Sequence, residues 1–156
     1  MATSTWKWTS GTGNWSNGNN WSPAAPATGD SVSIGSNRDT GPVVVTEDYT
    51  ITINSLTMAA KPGNGKNSNT TTLILTPNYT LTVSGTISLA ANTIIDGAGT
   101  LIANGAISGG GTIIADNGLL NLSGSGLIAS GGAVLAIGAM VPSTLELNLK
   151  IGRAHV

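Results

Sequence analysis

Cysteine and phenylalanine are both missing from this chain, and charge is scarce: only 8% of its 156 positions are Asp, Glu, Lys or Arg, about a third of the ordinary share. Without Cys there is no disulfide framework, no thiolate zinc site and no thiol nucleophile. Six basic residues against seven acidic ones lay no electrostatic footprint on phosphates, which excludes nucleic-acid binding by charge. The helix formers Glu, Lys, Arg and Gln are nearly missing too, so an α-helical protein is not expected. No stretch approaches the ~18 apolar residues of a membrane helix, so no membrane insertion of this segment is expected. The opening residues Met1–Trp6 lack the basic-then-apolar pattern of a conventional secretory signal.

What is there is small and polar. Gly, Thr, Ser and Asn fill 74 of the 156 positions, and 40% hydrophobic residues are enough to argue against disorder. All four Trp lie before residue 22, which leaves the rest of the core to Leu, Ile, Val and Ala. Such a core suits stacked layers better than a single globular centre.

From Val43 to Leu149 the chain is a series of short alternating runs rich in β-branched residues. Strands are expected at Val43–Thr46, Tyr49–Ile53, Ser55–Met58, Thr72–Leu75, Tyr79–Val83, Thr86–Leu89, Thr93–Ile95, Thr100–Ala103, Thr112–Ala115, Leu119–Leu122, Gly126–Ala129, Val134–Ile137 and Thr144–Leu149. Gly or Asn separates nearly all of them, and both accept the backbone conformations of tight turns. Gly99-Thr-Leu-Ile-Ala-Asn-Gly105 recurs twelve residues later as Gly111-Thr-Ile-Ile-Ala-Asp-Asn-Gly118. Strands this short, joined by one- to three-residue turns, make poor hairpins. They suit a coil whose turns stack in parallel at ~4.8 Å. The expected fold is therefore all-β, a right-handed parallel β-helix (β-solenoid), with a β-sandwich as the alternative. Alternation places Leu73/Leu75, Leu81/Val83, Ile87/Leu89 and Leu145/Leu147/Leu149 inside, with Thr80, Thr82, Thr86, Ser88 and Glu146 outside.

Residues 1–41 have a different texture, and they are expected to form an N-terminal cap over coils spanning 42–149. A solenoid must cover its first coil, because an apolar cross-section with free strand edges aggregates. Trp6, Trp8, Trp15 and Trp21 are assigned to that packing, with Trp6 and Trp8 on one face of a strand. A second role is weighed for Trp15 and Trp21, stacking on a sugar ring.

The pattern Trp6–Trp8, Gly11–Trp15, Asn19–Pro23, Pro26–Ile34, Thr52–Thr57 and Leu81–Gly85 resembles the N-terminal region of large bacterial secreted β-helix proteins of the autotransporter-passenger and adhesin kind. The resemblance implies a secreted or cell-surface location, a structural or adhesive role, and a host surface or polysaccharide as partner. It also implies a longer chain continuing C-terminally. Related chains without a signal peptide resemble cargo of one-step export, though the calcium-binding nonapeptide repeats of such cargo do not occur here. The last six residues, Ile151–Val156, resemble the translated frame of a sequencing-library adapter, so 150–156 is expected to be a non-native tail. The chain's lone His, His155, falls inside it.

Parallel β-helices also resemble polysaccharide lyases and hydrolases, which gather several Asp, Lys or Arg residues on one groove. Asp96 and Asp116 are spaced to stack on neighbouring coils, but a local role for each, satisfying turn amides, is preferred. A lyase would need a cation to stabilise the developing carboxylate charge, and no basic residue lies between Lys66 and Lys150. No catalytic residue and no cofactor are assigned, and the reading is non-enzymatic; the alternative is a carbohydrate-binding module or a polysaccharide-active β-helix enzyme fragment. Calcium is the metal these residues would suit, through Asp30, Asp39, Glu47 and Asp48, which lack calcium-loop spacing and are read as solvated surface. Paired threonines, Thr50/Thr52 and Thr80/Thr82, raise an ice-binding face that would have to repeat on every coil, and the pairs stop after Thr86.

Overall fold

The computed structural model describes residues 1–62 and 68–114 with their side chains, and the backbone of Ala115 and of the strands at 119–122, 134–137 and 144–147. The chain is all-β, with no α-helix among the described residues. Its strands are β1 Thr3–Trp6, β2 Gly11–Asn14, β3 Trp21–Ser22, β4 Ser31–Ile34, β5 Val43–Glu47, β6 Ile51–Ile53, β7 Ser55–Met58, β8 Thr71–Leu75 and β9 Thr80–Val83. They continue as β10 Ile87–Leu89, β11 Thr93–Gly97, β12 Thr100–Ala103, β13 Ile107–Gly109, β14 Thr112–Ala115, β15 Leu119–Leu122, β16 Val134–Ile137 and β17 Thr144–Leu147. A 3-10 turn, Gly18–Asn20, precedes β3.

Three sheets hold these strands, in the orders β13-β10-β7-β4-β1-β3, β16-β14-β11-β8-β5-β2 and β17-β15-β12-β9-β6. Every pairing is parallel except that of β1 with β3. From β4 to β15 the chain visits the first, second and third sheets in rotation and returns one place further along each, a topology consistent with a β-solenoid. Strands of three to five residues joined by turns of Gly and Asn leave little room for any other pairing. Asn78 and Asn92 take positive φ of 72° and 63° at two of these turns, conformations that few residues besides Gly and Asn adopt cheaply.

The ladders keep register, and register sorts the side chains. In the first sheet Val32, Leu56, Ile87 and Ile107 stack in one inward column; in the second Val45, Leu73, Ile95 and Ile113 do the same. In the third, Ile51 pairs with Leu81 and Leu81 with Leu101. All of these residues are buried and belong to one apolar cluster, so the inward faces of the three sheets share a single core. Leu73, Leu75, Leu81, Val83, Ile87 and Leu89, expected inside, are at most 4% exposed. Thr86 and Ser88 are exposed, and Thr80 and Thr82 are half-buried.

Several boundaries differ from expectation. Gly11–Asn14, which holds no apolar side chain, forms β2, paired with β5, because it borrows the ladder of Val43–Thr46. Ile107–Gly109 forms β13 although one apolar residue before a glycine run carries almost no periodic signal. Residues 1–41, expected as a cap, contribute β1, β2 and β4 to the parallel ladders, so the change of texture near 41 is no break in the pairing. The expected strand at Gly126–Ala129, the inward placement of Leu145, Leu147 and Leu149, and the tail 150–156 lie outside the described residues.

The N-terminal ends of two sheets are covered. Antiparallel β3 runs along β1, with Trp6 opposite Trp21. The turn before β4 lies along β6, where Gly29 N–H donates to Thr52 O at 2.9 Å and Asn54 N–H to Asp30 O at 2.8 Å.

Candidate functional site

The tryptophans divide. Trp6, Trp15 and Trp21 are 5%, 0% and 1% exposed. Trp6 meets Trp21 edge-on, with centroids 5.1 Å apart and planes at 85°, and Trp15 lies 5.2 Å from Trp21 at 58°. Edge-to-face and tilted contacts of this kind are the favoured aromatic arrangements. Trp21 Nε1–H donates to Trp15 O at 2.8 Å, which fixes the indole inside. Sugar stacking by Trp15 or Trp21 is therefore corrected: an indole with no free face offers a sugar nothing to stack on. Trp8 is corrected in the opposite sense. It stands 52% exposed, because β1 ends at Trp6, the N–H of Lys7 turns to Asn20 O at 2.9 Å, and the alternation stops. Its Nε1–H donates to Asn20 Oδ1 at 3.0 Å, while Asn20 Nδ2 donates to Asn14 O at 3.0 Å. Asn20 thus joins the exposed indole to β2.

The carboxylates weighed as calcium donors do not converge, and among the described residues no three of His, Cys, Asp and Glu come together. Asp30 accepts from Ala2 N–H and Ala27 N–H at 3.1 and 3.0 Å. Asp39, 2% exposed, accepts from the N–H and hydroxyl of Ser36 at 3.0 and 2.8 Å. Asp48 accepts from the N–H and hydroxyl of Ser16 at 2.9 and 2.6 Å. These are loop staples in which short acidic side chains satisfy backbone amides. Asp96 takes the N–H of Gly97 at 2.7 Å, the local turn role; its expected partner Asp116 lies outside the described residues.

Glu47 is the exception. Read as surface, it is completely enclosed, because it continues the inward phase of Val43 and Val45 in β5. That alternation was visible in the sequence, outweighed by the residue's charge. Neither carboxyl oxygen has a hydrogen-bond partner. Burial pushes the group's pKa up from 4.5 to about 7, with the nearby backbone N–H of Thr76 working the other way and the charge of Asp48 adding to the rise. Burial also raises the Tyr49 hydroxyl, which donates to Pro26 O at 2.7 Å.

Outside, the first sheet carries a feature that reading strand by strand misses. Thr5, Ser33, Thr57, Ser88 and Ser108 stack in register as one outward column. A shorter column of Thr3, Ser31 and Ser55 stands beside it, with Ser55 Oγ donating to Ser31 Oγ at 2.9 Å. On the third sheet Thr52 pairs with Thr82, and Thr82 with Ile102, so that threonine series ends as expected. The hydroxyl columns were hidden because their members are 20 to 31 residues apart and only the ladder aligns them. Comparison with protein-family models, with curated proteins and with solved structures gave no match.

Proposed function

We propose that this chain is a non-enzymatic, adhesive or spacing segment of a large bacterial protein that is secreted or displayed on the cell surface, built as a right-handed parallel β-helix with a Trp-rich N-terminal cap. One observation carries the reading: pass after pass, the first sheet presents hydroxyls outward while its strands from β4 onward keep apolar residues inward. A chain that repeats one outward chemistry along its length builds a surface, where an enzyme concentrates unlike groups at one place. The rotation of the chain through three parallel sheets supports the helix, and parallel crossovers are overwhelmingly right-handed. Each pass adds ~4.8 Å to the rod.

The partner is a host surface or a polysaccharide, met by hydroxyl and amide hydrogen bonds with little help from charge. Beads coated with the full chain are expected to stay on polysaccharide- or host-matrix-coated surfaces to the same extent at about 0.05 and 0.5 M salt, since there are few charges to screen. Replacing Thr5, Ser33, Thr57 and Ser88 together by Lys is expected to abolish retention while the circular dichroism spectrum is kept. Retention that survives this change, or cleavage of the polysaccharide by the chain, defeats the proposal.

A second reading, a carbohydrate-binding module, is favoured by Trp8, whose exposed ring is held in place by Asn20. Loss of soluble-oligosaccharide binding in Trp8→Ala, with the hydroxyl columns intact, selects it over the first.

A further inference from the structure

Glu47 lies where the N-terminal segment meets the first complete pass of the chain. In the ladder its neighbour on β8 is Leu75. On the β2 side Asn14 pairs with Thr46 and the chain runs on into Trp15, whose N–H donates to Thr46 O at 2.8 Å. Trp15 is itself fully enclosed, and its Nε1 also lacks a partner. Thr76 gives its hydroxyl to the backbone carbonyl of Glu47 at 2.5 Å, and its backbone N–H lies near the carboxyl group without completing a hydrogen bond to it.

Two titratable groups adjoin it in the chain, Asp48, turned onto Ser16, and Tyr49, held at Pro26; an ionised Glu47 is repelled by the first and gains no proton partner from the second. Asp96 on β11 is half-buried opposite Ile74, in the outward phase, and tied to Gly97. No Lys, Arg or His supplies a hydrogen bond to the carboxyl group. The neutral acid fits such a site far better than the carboxylate. The residues around Glu47 are also those that fasten 11–30: Trp15 packs on Trp21, Asp48 binds Ser16 and Tyr49 binds Pro26.

We propose that Glu47 is a proton-operated latch: while its carboxyl group is protonated the segment 11–30 stays packed on β5 and β6, and loss of that proton releases the segment locally. Release at this end breaks ladder contacts on one side only, so it occurs before the remaining passes open. The folded group holds its proton up to about pH 7, whereas an exposed Glu loses it near 4.5, so the closed state is favoured on the acid side and weakens as pH rises between these values.

Hydrogen exchange of the full chain, followed by mass spectrometry from pH 5 to 9 and corrected for intrinsic base catalysis, tests the latch. The opening constant of 11–30 is expected to rise about tenfold per pH unit to about pH 7 and then level off, with β9 and β12 unchanged. In Glu47→Gln the profile is expected to be flat. A flat profile in the native chain, an undiminished rise in the variant, or an equal rise in β9 and β12 overturns the proposal. If Glu47→Gln does not fold, Glu47→Met takes its place under the same criteria. The infrared spectrum of the native chain needs no variant: a protonated-carboxyl band at pH 6 that fades as pH passes 7 supports the latch, and its absence at pH 6 overturns it.

Discussion

Trp6, Trp15 and Trp21 lie against one another at ring separations of 5.1 and 5.2 Å, whereas Trp8 stands half in solvent. Replacing Trp21 by Ala removes the central ring and its hydrogen bond to Trp15 O, and is expected to cost about 3–5 kcal/mol. The same change at Trp8 is expected to cost under ~1 kcal/mol, since the ring buries little. Denaturant titration of the two variants checks this, and near-equal losses would contradict the division. Composition assigned all four rings to one job; which three take it depends on where β1 stops, and that is set by Asn20, thirteen residues beyond Lys7. Glu47 makes a parallel case at the level of charge. Glu47→Leu is expected to raise the denaturation midpoint at pH 8, with the advantage shrinking by about 1.4 kcal/mol per pH unit below pH 7 as the native acid regains its proton. An equal gain at pH 5 and pH 8 would remove the linkage.

At the scale of the strand, alternation was a sufficient guide to the described strands in which apolar residues recur. Ser55–Met58, Thr100–Ala103 and Thr112–Ala115 are strands with the very bounds their patterns imply. β2 and β13 were invisible because Gly-Thr-Gly-Asn and Ile-Ser-Gly hold almost no apolar signal; long-range pairing with β5 and β10 makes them strands, a tertiary effect that overrides local preference. Turn residues carry the complementary information. Gly97 has φ +126°, and a Cβ there would run into the backbone of Leu75 in the pass beneath. Gly97→Ala is therefore expected to destabilise by at least ~2 kcal/mol, and Leu81→Ala, in the buried column of the third sheet, by about 2–5 kcal/mol. Thermal melts of both against Ser88→Ala, which faces solvent, give the comparison; a Gly97→Ala melt equal to that of Ser88→Ala would contradict the close approach.

For the molecule as a whole, scarcity of charge and regularity of stacking go together. With thirteen charged residues in 156, surface ion pairs contribute little, and the melting temperature is expected to move by no more than a few degrees between about 0.05 and 0.5 M salt. A large salt dependence would point to an electrostatic network instead. The stacked, parallel character of the fold was legible from short strands and glycine turns, because both restrict how far the chain travels before it must turn. The hydroxyl columns of the first sheet were not, since a ladder with spacings of 28, 24, 31 and 20 residues between members leaves no fixed repeat to recognise.

One small element gives this architecture a direction. β3 is two residues long and runs backwards across the outer edge of β1, and the turn at Gly29 and Asp30 occupies the matching edge of β6. A parallel stack is a template, and an open edge recruits any strand of similar habit, including those of identical molecules at high local concentration. By presenting a short strand of the wrong polarity on one sheet and a turn on another, the chain makes itself a poor seed at the N-terminal edges of the first and third sheets. Crowded together on one surface, many copies could then lie side by side without zipping head-on into a common fibril through those edges.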